Sequence, residues 1–114
     1  MSVVKLKDIK TIQIGPTGYR LFTKAANTEP ALTDAKGQTL LGAVQYSFQR
    51  IVLAARQGED VMRDTLLHEV LHCLCYQTDC IEHDNEEALV SVLTPALLDF
   101  LQRNPLVVGY LTKQ

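Results

Sequence analysis

The sequence predicts an α+β fold in a single domain spanning residues 1–114, and three observations carry that expectation. Up to about residue 56 the apolar residues come in short, strand-length runs separated by glycine- and proline-bearing turns. From Glu59 onward they recur at three- and four-residue intervals, the period of a helix. With 114 residues, 46% hydrophobic and 21% charged, the chain suits one small core.

The first element is a hairpin. "TIQIG" and "YRLFT" flank "GPTG" at residues 15 to 18, whose glycines and proline mark a tight turn. Residues 24 to 39, "KAANTEPALTDAKGQT", are rich in turn formers and show no period, so a surface loop with a short helical turn is expected there. "LLGAVQY" and "RIVLAA" follow as two more strands around a turn near Ser47 to Gln49, the second of them β-branched and apolar. The result is a small, mainly antiparallel sheet.

The helical half starts at Glu59. Val61, Leu66, Leu67, Val70, Leu71 and Leu74 form an apolar stripe that runs to about Gln77. "TDCIEHDN" interrupts it with turn and cap residues, and a second helix is expected from about Asn85 to Arg103, with Leu89, Leu93, Ala96, Leu97, Phe100 and Leu101 as its recurring apolar positions. Pro95 should remove one backbone bond within it, and "NP" at residues 104 and 105 should stop it.

Bulk chemistry excludes several roles. A net charge of -2 without clustered Lys and Arg argues against nucleic acid as a partner. No run of eighteen apolar residues and no signal-peptide pattern is present, so a soluble, cytoplasmic protein without a membrane is expected. Cys73, Cys75 and Cys80 are an odd set without a disulfide framework, which fits a reducing compartment.

The chemistry concentrates in "LLHEVLHCLC", residues 66 to 75. Side chains four apart on a helix lie one above the other, so the imidazoles of His68 and His72 can converge on one ion at about 2.0 to 2.1 Å. Glu69 is turned about 100° from His68, which keeps it off the ion yet within reach of a water beside it, where a carboxylate serves as general base. H-E-x-x-H on a helix therefore predicts a Zn2+ site with His68 and His72 as ligands and Glu69 as the catalytic residue. The plainer alternative is two histidines satisfied by hydrogen bonds at the rim of a core helix.

Zinc that does chemistry needs a third protein ligand and an open fourth position. Cys75, Asp79, Cys80, His83, Glu86 and Glu87 are in reach along the chain. Asp84 followed three residues later by Glu87 reads as a capping box, which gives Glu87 a structural task. Glu86 falls on the stripe of Leu89, Val90, Leu93 and Leu97 that should face the first helix, and is the expected third ligand, with Glu87 and His83 as alternatives. Cys73 and Cys75 are expected as buried small hydrophobes, and Asp64, one turn before His68, as an acceptor that orients an imidazole or as an exposed helix residue.

From about residue 9 to residue 105 the order "IQIGPTGYRL", "LLGAVQYSFQRIVLA", "RDTLLHEVLHCL", "NEEALVSVLTPALLDFLQRNP" resembles the small HExxH proteins of bacteriophages and prophages, similar to the ImmA/IrrE-type zinc metallopeptidases. The specific part is "TLLHEVLH". The resemblance implies a zincin-like fold of gluzincin arrangement, with zinc on His68, His72 and Glu86 and with Glu69 as general base. It also implies a zinc-dependent hydrolase of peptide bonds acting in the cytoplasm of a host, its substrate laid along the strand before the motif helix, here "RIVLAA". A rival expectation is a non-catalytic, zinc-stabilised protein-interaction module in which His83 or Cys80 closes the fourth position.

Overall fold

The structure, a computed structural model, describes residues 4–79 and 83–112, and of His83 the backbone alone. The fold is α+β. Strands β1 (Thr11–Ile14), β2 (Thr17–Lys24), β3 (Gly42–Gln45) and β4 (Arg50–Ala54) form one sheet in the order β1-β2-β4-β3. β1 and β2 make the expected hairpin with Ile14 opposite Thr17, which leaves Gly15 and Pro16 to turn the chain. Gly15 has φ +56°, a conformation only glycine adopts without strain. β3 and β4 pair antiparallel through a 3-10 turn at Tyr46–Phe48.

The middle of the sheet departs from the expectation. β2 and β4 run parallel, Arg20 opposite Arg50 and Lys24 opposite Ala54, so the sheet is mixed. A parallel pair needs a connection of about a dozen residues or more, and the segment between β2 and β3 supplies it. That segment is more than a surface loop. Its 3-10 turns at Ala26–Thr28 and Pro30–Leu32 lie over one face of the sheet, where the fully buried Leu32 packs with Val52 and Ala54.

Helix α1 (Glu59–Thr78) covers the opposite face, where Cys73 joins Ile14, Tyr19, Ile51 and Leu53 in the main core and Met62, Leu66 and Val70 pack around them. The inward register differs from the apolar stripe in the sequence. Val61 and Leu74 are 49% and 40% exposed, whereas Thr65 and Glu69 are buried. Thr65 is satisfied there by hydrogen bonds to Val61 and Gln57, whereas Glu69 has none among the described residues.

Helix α2 (His83–Arg103) packs on α1, burying Val90 and Thr94; Pro95 lies inside it without ending it. α2 ends at Arg103 as "NP" predicts, and a short helix that was not expected, α3 (Pro105–Thr112), begins after Asn104. Proline suits the first position of a helix, where its fixed φ helps and its missing N–H is not needed. Among the described residues no helix is long and apolar enough to cross a membrane.

Candidate functional site

His68 and His72 stand on successive turns of α1 and aim the same ring atom at one point. Their Nε2 atoms are 3.2 Å apart, with ring centroids at 4.8 Å. Glu87, in the first turns of α2, brings its carboxylate to the same place: Oε1 lies 3.1 Å from Nε2 of His68 and Oε2 lies 2.6 Å from Nε2 of His72. Ser91 donates a hydrogen bond to Oε1 of Glu87 at 3.2 Å. Two nitrogens bound at about 2.0 to 2.1 Å to a tetrahedral ion stand about 3.3 Å from each other, which the 3.2 Å between the imidazoles matches, whereas the 2.6 Å from Glu87 to His72 is the length of a charge-assisted hydrogen bond. Protonated Nε2 atoms, each donating to one oxygen of Glu87, satisfy the same three groups without an ion. The His68–His72–Glu87 group can hold a metal ion.

The two neighbouring glutamates exchange the tasks expected of them. Glu86, the expected third ligand, places Oε2 2.6 Å from Nδ1 of His72, on the far side of that ring from the convergence point. Glu87, expected in a capping box, faces both imidazoles instead. The reason is rotational. Of the expected stripe Val90 is buried, but Leu89 and Leu93 are 45% and 43% exposed and Thr94 is buried in their stead. Turning α2 in this way brings Glu87 to the Nε2 atoms and leaves Glu86 beside His72. A carboxylate on Nδ1 holds the ring in the tautomer whose Nε2 lone pair is free for an ion. The alternative ligands Cys80 and the side chain of His83 lie outside the described residues.

Burial lowers the pKa of His72, but the hydrogen bond to Glu86 and the charges of Glu87 and Glu69 outweigh it and raise the pKa above its ordinary value. Without a metal, His72 is therefore drawn toward an imidazolium held between two carboxylates.

Glu69 sits differently. Its side chain is buried, and among the described residues it has no hydrogen bond and no ion pair. Burial pushes its pKa up to about 7, opposed by nearby His72 and reinforced by the charge of Glu87. With His68, Asp64, Thr65, Leu40, Leu41 and Gly42 it lines a cavity of about 250 Å³. Gly42 makes room for it: a Cβ there would lie 3.2 Å from Oε2 of Glu69 and 2.9 Å from Cγ2 of Thr65. A buried carboxylate without a partner, facing a cavity beside two imidazoles, is costly for folding and characteristic of a working site.

Residues that sequence reasoning missed hold this arrangement in place. Gln57 donates from Nε2 to the carbonyls of Leu41 and Ala54, at 3.0 and 2.8 Å, and accepts from the hydroxyl of Thr65 at 2.8 Å. It thereby ties the start of α1 to the β3–β4 rim. The hydroxyl of Tyr46 donates to the carbonyl of His72 at 3.3 Å, and its ring stacks on Tyr76. An amide just before a helix is the signal available for Gln57; for Tyr46 the long sequence separation leaves none. Asp64 makes no hydrogen bond to His68. Cys73 and Cys75 are buried as expected, and burial pushes the Cys73 thiol up to about 12, where it is inert.

The strand "RIVLAA" is not an edge. β4 lies between β2 and β3, and the edge strand bordering the cavity is β3. Comparison of the chain with family models, with curated proteins and with solved structures finds no match.

Proposed function

We propose that this protein is a zinc-dependent metallopeptidase of zincin plan, of the kind the small phage-encoded HExxH proteins exemplify. The observation that carries the proposal is the buried, unpartnered carboxylate of Glu69 beside the convergence of His68, His72 and Glu87. His68 and His72 would hold the ion through Nε2 and Glu87 through its carboxylate, while Glu86 orients His72 through Nδ1. Two imidazoles and a carboxylate are a donor set that suits zinc. When bound, zinc would supply the Lewis acidity that polarises a peptide carbonyl and makes water acidic.

The remaining steps belong to the chain. Glu69 takes the proton of the attacking water at its carboxylate and passes it to the departing amine, acting first as general base and then as general acid. The edge of β3 lies along the cavity, where an extended peptide can add main-chain hydrogen bonds. A zinc-stabilised interaction module accounts for the imidazoles but supplies no reason to bury Glu69 unpaired.

The test pairs the native chain with Glu69→Gln. Both should bind one zinc per chain, and only the native chain should cut an unstructured polypeptide, as read by mass spectrometry of the fragments. Equal cleavage by the variant removes Glu69 as the base, and unfolding on chelation with no cleavage favours the structural module.

A further inference from the structure

Asp64 lies one helical turn before His68 and lines the same cavity as His68 and Glu69. Its carboxylate is half-buried and, among the described residues, has neither hydrogen bond nor ion pair. It orients nothing on its own chain. The cation next to it in sequence, Arg63, is already paired with Glu59 and Asp60. From Gln57 to Thr112 the sequence has no other lysine or arginine than Arg103, which is paired with Asp99. The α1–α2 side of the molecule therefore carries a field that attracts cations and has no free cation to answer it.

The other walls of the cavity are apolar. Leu40, Leu41 and Gly42 form one side, and the hydroxyl of Thr65 is turned away to the carbonyl of Val61 and to Gln57. At about 250 Å³ the space suits one side chain, being smaller than the roughly 300 Å³ at which pockets for whole small ligands begin. Aliphatic residues together with the carboxylates of Asp64 and Glu69 match a side chain that is a hydrocarbon stem ending in a cation.

The geometry points to a specificity pocket for a lysine or arginine of a peptide substrate, seated next to the scissile bond, with Asp64 as the residue that selects the positive charge. This rests on the peptidase reading and names its substrate class. The stem packs on Leu40 and Leu41 while the cationic end meets Asp64, which places the neighbouring peptide bond beside Glu69 and the two histidines.

The experiment uses the zinc-loaded full chain and peptides of one sequence carrying Lys, Leu or Glu at a single varied position. Cleavage rates are measured with the native chain, Asp64→Asn and Asp64→Lys, and equilibrium binding of the same peptides is measured on Glu69→Gln with and without the Asp64 changes. The Lys peptide should be preferred to the Glu peptide by about tenfold or more, Asp64→Asn should reduce the Lys-to-Leu ratio by about tenfold, and Asp64→Lys should reverse the Lys-to-Glu order. Cleavage with ratios indifferent to Asp64 overturns the pocket and leaves the peptidase standing. Binding of the Lys peptide that depends on Asp64, with no cleavage by the native chain, supports the pocket and overturns hydrolysis. Neither binding nor cleavage of any peptide overturns both.

Discussion

Nε2 of His72 faces Nε2 of His68 at 3.2 Å while Nδ1 of the same ring lies 2.6 Å from Glu86, so one imidazole is committed at both nitrogens. In the proposed reading this divides the labour between adjacent glutamates: Glu87 would meet the ion while Glu86 meets the ring. Glu86→Gln should weaken zinc binding by about 10- to 100-fold, the usual cost of losing a carboxylate that steadies a ligating histidine. Glu87→Gln should cost more. Competition titration against a chelator of known affinity measures both, and an equal or reversed order would return Glu86 to the ion.

Glu69 makes the metal-free protein sensitive to pH in a definite direction. Its pKa is raised by folding from 4.5 to about 7, so the native state binds the extra proton and the contribution to stability is fully present below about pH 4.5 and lost as the pH rises through 7. His72, also raised, adds a loss in the same direction above its ordinary value of 6.5. The Glu69 shift corresponds to on the order of 3 kcal/mol. Glu69→Gln should therefore be more stable than the native chain at pH 8 in chelator, and the gap should close toward pH 4.5. Urea unfolding across that range checks it; a native chain that gains stability relative to the variant as pH rises would contradict the burial argument.

Gly42 lies where β3 packs against the turn of α1 that carries Thr65 and Glu69. Gly42→Ala sets a Cβ 2.9 Å from Cγ2 of Thr65 and 3.1 Å from Cγ of Glu69, and should destabilise the fold by about 1 to 3 kcal/mol and depress cleavage together. Gly109→Ala is the control, with nothing within 4 Å of the added carbon in α3, and should be neutral or stabilising by up to about 1 kcal/mol. Chemical denaturation of the two variants separates a steric cost from a general glycine effect.

What the sequence disclosed follows from how local each feature is. His68 and His72 were legible because a spacing of four is a property of any helix, and the β1–β2 hairpin because Gly15 and Pro16 turn the chain whatever surrounds them. The identity of the third carboxylate was not, since Glu86 and Glu87 differ by one helical step and interhelical packing on Val90 and Thr94 decides which faces α1. The parallel β2–β4 pair was hidden for a similar reason: each hairpin is local, but which strands of the two hairpins meet depends on the path of residues 25 to 41. Thr65 and Glu69 in the inward register of α1 blurred its apolar stripe, and "NP" marked the end of α2 without announcing the short α3 that starts at Pro105.

The account stands most directly on where an ion binds. Crystals of the full chain grown with zinc should give one anomalous peak per chain between Nε2 of His68, Nε2 of His72 and the carboxylate of Glu87, with one coordination position not taken by protein. A peak elsewhere, no peak at all, or an ion enclosed by four protein ligands would contradict it.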